Sequence, residues 1–215
     1  MVNRFVILIS LLFLSLLVAS CNYNSDKQSV PQHLVTKIIP KYKDGRIVYS
    51  YEMTKKYTKE SGLSIIENGF DSIFFRIWYI YMGTIQVTDF KKQEGVWVAE
   101  FHIIKLGLDT VNNDLKVDNF KSSKISPKSG WDFFINKILS LNIMTLPDAS
   151  EIPGYYDGMP TDAEFVVVEI ATTTKYRIYD YTSPMLFPEI KEAKAMEDIM
   201  LFLEEEFGIK RLSNF

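Results

Sequence analysis

IFFRIWYIYM, residues 73–82, carries the strongest strand signal in the chain. Its odd-numbered residues fall on one face of a strand and its even-numbered residues on the other, and both sets are almost entirely apolar. A strand of this kind is typical of a sheet that is covered on both sides. We therefore expect this strand to be buried on both faces.

Arg76 is the one charged residue in this strand. It could bind an anion, or it could pair with a carboxylate such as Glu100 on a neighbouring strand. Because a buried charge normally needs a partner, we expect a buried ion pair between Arg76 and Glu100.

The segments that follow have the alternation of further strands joined by short turns. IQVTDF at 85–90 and VWVAEFHIIKL at 96–106 flank Gly95. EFVVVEIA at 164–171 and KYRIYDY at 175–181 flank three threonines. Both pairs predict antiparallel hairpins.

The other strand signals are weaker. KIIPKY at 37–42 and RIVYSY at 46–51 are consistent with a third hairpin, in which Pro40 places the first strand at an edge. Residues 55–61 predict a short helix or a loop. The polar residues 107–130 predict a long surface connection with one edge strand.

Two segments have the apolar spacing of amphipathic helices. Over about residues 131–142, and again over 189–207, apolar side chains recur at steps of three and four and fall on one face. Together with the strands, they predict an α+β fold in which a mainly antiparallel sheet of six or seven strands packs against these two helices. Residues 33–215 are expected to form a single domain of this class.

The first residues of the chain have the layout of a signal peptide. Arg4 supplies a positive charge, and an apolar run from Phe5 to Val18 ends in small residues. That run is shorter than the roughly 20 residues of a spanning helix, so a retained anchor helix is the weaker interpretation. We expect residues 1–20 to be cleaved.

The order Val18, Ala19, Ser20, Cys21 resembles the lipobox of bacterial lipoproteins, in which an aliphatic and two small residues precede an obligatory cysteine. The resemblance implies cleavage before Cys21, a diacylglycerol linked to its sulfur through a thioether, and acylation of the new amine. The other interpretation is an ordinary secretory leader with a chance cysteine. Cys21 is the only cysteine, so lipidation would leave no free thiol.

The residues after Cys21 bear on where such a protein would be held. Residues 22–32 are mostly polar and extend the lipidated cysteine into a flexible tether. In Gram-negative lipoproteins an aspartate directly after the cysteine tends to retain the protein in the inner membrane. Asn22 therefore favours a membrane-anchored lipoprotein of the cell envelope, in the outer membrane if the cell is Gram-negative.

Net charge excludes one class of partner. Removal of residues 1–20 takes Arg4 from the 24 Lys and Arg residues, so that 23 remain against 27 Asp and Glu, a formal charge of −4. Nucleic acid is therefore not an expected partner.

No catalytic or cofactor motif stands out. The chain has no G-x-S-x-G elbow and no phosphate-binding glycine loop, and the box Lys128-Ser129-Gly130 has no S-x-x-K partner. His33 and His102 are too few and too isolated for a zinc site or a catalytic triad. We expect no metal, and no cofactor other than the covalent lipid on Cys21.

The loop DASEIPGYYDGMPTDAE, residues 148–164, is the main candidate for a ligand site. Several carboxylates surround Tyr155, Tyr156 and Asp157, and carboxylates beside aromatic faces are what a sugar or cation site uses. The other interpretation is a surface loop whose tyrosines fold back onto the core. A second acidic stretch, 109–118, lacks the spacing of an EF-hand and predicts a solvated loop.

Three functions are consistent with these features. The leading hypothesis is a non-enzymatic, membrane-anchored envelope lipoprotein that binds an envelope protein or a glycan. The second is a small envelope hydrolase or glycan-modifying enzyme that uses carboxylates such as Asp157 and Glu164. The third is an immunity or inhibitor lipoprotein, for which the acidic balance is permissive.

Overall fold

A seven-stranded sheet organises residues 34–42, 44–156 and 163–212, which the structure, a computed structural model, describes. The strands are β1 (Thr36–Ile38), β2 (Ile73–Tyr81), β3 (Thr84–Gln93), β4 (Val96–Asp109), β5 (Asp114–Ile125), β6 (Phe165–Thr172) and β7 (Lys175–Thr182). Their order is β1-β7-β6-β2-β3-β4-β5, and only the β1–β7 pair is parallel. The predicted α+β fold with a mainly antiparallel sheet is confirmed.

Strand β2 lies at the centre of the sheet, between β6 and β3. On one face Phe75 and Ile77 are buried, and on the other face Phe74 and Trp78 are fully buried. Each face belongs to a separate apolar cluster, so the prediction that this strand is covered on both sides is confirmed.

Three helices cover the sheet: α1 (Tyr49–Ser61), α2 (Trp131–Ser140) and α3 (Lys191–Phe207). Helices α2 and α3, both predicted, supply Phe134, Ile138, Met196 and Leu203 to the cluster on the Phe75 face. Helix α1 covers the Phe74 face. Two turns of 3₁₀ helix, Ala149–Glu151 and Pro184–Leu186, lie in the connections.

The prediction of a second strand in the third hairpin, at 46–51, is wrong, because its last residues, Tyr49 to Tyr51, begin helix α1. Tyr51, Thr54 and Thr58 lie one helical turn apart and are buried against the sheet. Burial of that face outweighs the local β preference of RIVYSY. What remains of the hairpin is edge strand β1 and a single bridge between Lys41 and Ile47.

The two better hairpins form as predicted. Glu94 and Gly95, with φ of 51° and 83°, make the two-residue turn between β3 and β4. Both residues have positive φ, which is the conformation that favours glycine and matches the twist of a hairpin. The predicted surface connection over 107–130 is more regular than expected, because β4 extends to Asp109 and β5 is a 12-residue edge strand.

The predicted signal peptide (1–20), Cys21 and the tether (21–32) lie outside the described residues. The described residues fall within one compact unit, Leu34–Phe215. None of the described helices is long and apolar enough to cross a membrane.

Candidate functional site

A cleft of about 650 Å³ lies at the end of the sheet where β6 begins and β7 ends. Its walls come from the turn before α1, the first residues of α1, the segment 150–156 and the strand ends. The lining side chains are aromatic (Tyr42, Tyr49, Tyr156, Phe165), charged (Lys41, Asp44, Arg46, Asp180), hydroxylic (Ser50, Ser150, Thr182) and aliphatic (Val48).

Asp180 lies in the wall formed by β7 and is only 6% exposed. The alternation of the strand points Tyr179 and Tyr181 to the α2–α3 side, so that Asp180 faces α1. Its carboxylate accepts hydrogen bonds from the hydroxyl of Ser50, in the first turn of α1, and from the hydroxyl of Tyr156 at 3.4 Å. Three distant segments of the chain therefore meet at one carboxylate.

A second carboxylate, Asp148, lies directly behind Asp180 and is 1% exposed. One of its oxygens accepts from the backbone N–H and the hydroxyl of Ser150, and the other accepts from the backbone N–H of Asp180 at 2.9 Å. Asp148 thus fixes the 3₁₀ turn at 149–151 to β7. Burial, and then the nearby charge of Asp148, raise the pKa of Asp180 to about 7.

Thr182 ends β7 on the same side of the sheet as Asp180. Its side chain is 3% exposed and lines the cleft. Among the described residues, its hydroxyl has no hydrogen-bond partner. The hydroxyl is therefore open to the cleft and available to a group that enters it.

The predicted ligand loop separates into three parts. Tyr155 is fully buried, and its hydroxyl donates to the backbone oxygen of Thr182 at 2.9 Å, as expected for a tyrosine folded back onto the core. Tyr156 is 43% exposed and lines the cleft. Asp157 lies outside the described residues.

Sequence reasoning missed Asp180, Ser50 and Thr182. Their one signal is in KYRIYDYT, where Asp180 and Thr182 continue the face begun by Tyr176 and Ile178 and replace apolar residues with polar ones. Ser50 carried no signal, because its segment reads as a strand.

Arg76 does not pair with Glu100, which corrects the expected ion pair. Two guanidinium nitrogens of Arg76 donate to the two carboxylate oxygens of Asp89, each at 2.8 Å, and a third donates to the backbone oxygen of Ser64 at 2.9 Å. Register explains the difference: Arg76 lies opposite Asp89 on β3, and Glu100 lies one strand further away on β4. Glu100 instead lies 3.8 Å from Lys91.

Glu169, on the other neighbouring strand, completes the buried cluster around Arg76. It accepts hydrogen bonds from the indole of Trp78 at 2.7 Å and from the hydroxyl of Tyr176 at 2.6 Å. Burial raises the pKa of Glu169, and the charge of Arg76 opposes that rise. For Asp89, burial is outweighed by the charge and hydrogen bonds of Arg76, which hold its pKa below the ordinary value.

A small cavity of about 130 Å³ lies beside this cluster, lined in part by Arg76, Glu169 and Tyr176. The polar groups of these residues are bonded to protein groups, so the cluster is a satisfied structural network. His102 lies at its margin, with Nε2 3.6 Å from Asp89, too far for a hydrogen bond.

Within the described ranges, no group of three or more His, Cys, Asp or Glu side chains is arranged to hold a metal ion. Comparison of the chain with protein-family models, with curated proteins and with solved structures finds no match. Among the described residues, the cleft is therefore the feature that bears on function.

Proposed function

We propose that the protein is a lipid-anchored lipoprotein of a bacterial cell envelope whose folded domain binds a ligand in the cleft at Asp180. One observation carries the binding role: a cleft of about 650 Å³ combines aromatic walls with two buried polar groups, Asp180 and Thr182. That volume lies within the usual range of small-molecule sites, and a few buried polar groups among aromatic side chains are typical of them.

The position of the cleft suits an anchored protein. The described chain joins the sheet at β1, where Thr36 lies opposite Lys175, the first residue of β7. The cleft lies beside Thr182, at the other end of the same strand. At about 3.3 Å per residue, the two ends are roughly 25 Å apart. A lipid on Cys21 would tether the domain through the end that is remote from the cleft.

Hydrolysis by carboxylates is the second candidate, because an acid with a raised pKa in a cleft is what general-acid catalysis uses. Hydrolysis by a carboxylate pair needs a second carboxylate free to act on the substrate or on water. Both oxygens of Asp148 are held by backbone and side-chain donors, and the other predicted acid, Glu164, does not line the cleft. The described residues therefore favour binding over turnover.

The anchor is tested by intact-mass analysis of the protein extracted from membranes. We expect a mass that corresponds to residues 21–215 plus a diacylglycerol and a third acyl chain. We expect the Cys21→Ala variant to carry none of these three acyl chains and to be absent from the membrane fraction. A wild-type protein that retains residues 1–20, or that begins elsewhere without lipid, would contradict the lipoprotein assignment.

The binding role is tested by native mass spectrometry of the full-length protein after incubation with an envelope extract. Tyr49 and Tyr156 are 65% and 43% exposed, so removal of their rings should change the cleft without unfolding the domain. We expect a bound small molecule on the wild-type protein and its loss from the Tyr49→Ala/Tyr156→Ala double variant. Phe133→Ala removes a 56% exposed ring on α2, away from the cleft, and is the matched control. Equal ligand retention by all three proteins would exclude the cleft as the site.

A further inference from the structure

The cleft contains two buried carboxylates, Asp148 behind its wall and Asp180 in it, that form no ion pair with a described residue. Asp148 and Asp180 are adjacent, with a distance of 2.9 Å from the backbone nitrogen of Asp180 to a carboxylate oxygen of Asp148. Neither has an ion-pair partner among the described residues. Burying a carboxylate without a cation is costly, and donated hydrogen bonds offset only part of that cost, so that a proton or a partner of opposite charge usually completes the compensation.

On the same face of the sheet, a buried aspartate on β3 has a cation as its partner. Asp89 is 4% exposed, comparable to Asp180, and it is paired bidentately with Arg76. The fold therefore supplies a counter-cation for one buried aspartate on this face and leaves the other without one. The difference is that Asp180 lies at a cleft, where a cation can arrive from outside.

A second and independent observation is Thr182, whose side chain is almost fully buried and lines the same cleft, and whose hydroxyl forms no hydrogen bond with a described residue. A hydroxyl oxygen can accept from a ligand N–H. Asp180 and Thr182 are two residues apart on one strand, so both side chains lie on the same side of the sheet. Together they provide acceptors for more than one hydrogen of a ligand.

The aromatic walls also favour a positively charged group. Tyr42, Tyr49, Tyr156 and Phe165 line the cleft, and the faces of aromatic rings attract cations. The guanidinium of Arg46 already lies 5.7 Å from the ring centre of Tyr42 and is bonded to Asp44 at 2.7 Å. Among the described residues, the charged side chains that line the cleft are therefore Asp44 and Arg46, which neutralise each other, the cation Lys41, and Asp180, with Asp148 directly behind it.

We propose that the cleft binds its ligand through a protonated amino group, which donates to Asp180 and Thr182 and supplies the missing counter-cation. This proposal rests on the proposed function, since it names the ligand chemistry of the same cleft. The ligand class is a primary or secondary amine on an apolar or aromatic body that fits between the tyrosines.

Protonation of Asp180 gives the proposal a distinctive signature. With a pKa of about 7, this carboxyl carries a proton in much of the free protein near neutral pH. An ammonium group binds the ionised form and must displace that proton. Affinity for an amine should therefore rise by about tenfold from pH 6 to pH 8, because the ionised fraction rises by about that factor, while a neutral ligand should show no such increase.

The experiment uses the full-length protein in an uncharged polyoxyethylene detergent and follows backbone amide signals by NMR. Benzylamine, protonated at both pH values, is the probe, and benzyl alcohol is its neutral counterpart of similar shape. We expect benzylamine to shift the signals of Ser50, Tyr156 and Thr182 and to bind about tenfold more tightly at pH 8 than at pH 6. Benzyl alcohol should bind more weakly and without this pH dependence.

Two variants sharpen the test. Asp180→Asn keeps the size of the side chain and removes the charge, so we expect a loss of about 10- to 100-fold in benzylamine affinity and little change for benzyl alcohol. Asp198→Asn removes an exposed carboxylate on α3, which covers the other face of the sheet, and should change the affinity by no more than about twofold. Thermal unfolding checks that both variants are folded, and the pH dependence of the wild-type protein provides a test that needs no variant.

Equal binding of benzylamine and benzyl alcohol, or benzylamine affinity that is unchanged in Asp180→Asn, would overturn the amine proposal. Either result would leave the binding role intact if an envelope ligand still occupied the cleft. The proposed binding role of the cleft is contradicted by a different result, in which the Tyr49→Ala/Tyr156→Ala variant retains the ligand from the envelope extract.

Discussion

Arg76 and Asp89 face each other across strands β2 and β3 and form two parallel hydrogen bonds of 2.8 Å in a part of the sheet where both residues are almost fully buried. Each charge compensates for the burial of the other, which would be costly for either one alone. Asp180 lies at the end of β7, two strands from β2, and has no such cation among the described residues. This contrast between the two aspartates underlies both the stability of the domain and its proposed binding behaviour.

Removal of one partner of the buried pair should be strongly destabilising. Arg76→Met leaves Asp89 buried without its cation, so we expect a loss of about 3 to 5 kcal/mol in the free energy of unfolding, measured by urea denaturation. Glu100→Gln is the control, because Glu100 lies at a more exposed position 3.8 Å from Lys91 and should change stability by less than about 1 kcal/mol. A larger effect for Glu100 than for Arg76 would contradict the observed pairing.

The hydroxyl of Tyr176 should contribute measurably through Glu169. It donates to that buried carboxyl at 2.6 Å, so Tyr176→Phe leaves an acceptor with one donor fewer and should cost about 1.5 to 3 kcal/mol. Tyr49→Phe removes a hydroxyl from a ring that is 65% exposed and should be nearly neutral. Urea denaturation of the two variants at the same pH makes the comparison, and equal stability would contradict the network.

Asp180 should lower the stability of the domain as pH rises. Its pKa is about 7 in the folded protein and near 3.8 in the unfolded chain, so between these values the folded state binds more protons. The free energy of unfolding therefore falls as pH rises from about 4 to 7, by at most about 4 kcal/mol.

Asp180→Asn removes this contribution. We expect the variant to gain stability relative to the wild-type protein on going from pH 5 to pH 8, as measured by urea denaturation at both values. Asp44→Asn, at an exposed carboxylate, should show no such gain. A difference between wild type and Asp180→Asn that does not change with pH would show that Asp180 is ionised throughout.

The end of α1 should depend on a single glycine. Gly62 has φ of 70° and its N–H bonds to the backbone oxygen of Lys59, while a Cβ at this position would meet no other atom. Gly62→Ala should therefore cost about 1 kcal/mol through backbone strain alone. Gly62→Asn should cost less, because asparagine tolerates this conformation better. Thermal unfolding of both variants distinguishes strain from a steric clash, which would penalise the larger asparagine more.

Much of the sheet and two of the helices could be predicted because their signals are local. Alternation over 73–82 places Phe74 and Phe75 on opposite faces whatever the neighbouring strands are. Helix α3 follows in the same way from apolar residues three and four apart. The first turns of helix α1 could not be predicted, because Tyr49 to Tyr51 favour a strand locally and become helical only when Tyr51 and Thr54 are buried against the sheet.

The cleft could be predicted only at Tyr156. Its other polar groups are those of Ser50, Asp180 and Thr182. Ser50 and Asp180 are 130 residues apart in the chain, and no local pattern relates them. The partner of Arg76 has the same origin: sequence indicated that a carboxylate was needed, and strand register selected Asp89 over Glu100.

Local patterns were sufficient to predict the class of the fold, the two faces of β2, helices α2 and α3 and a lipid on Cys21, because each of these predictions depends on residues close together in the chain. Which charges are paired, and which carboxylate faces a cleft, depends on how distant segments pack together. Pairing energies act between side chains that strand order and register bring within a few ångströms, and neither order nor register is encoded in any single segment.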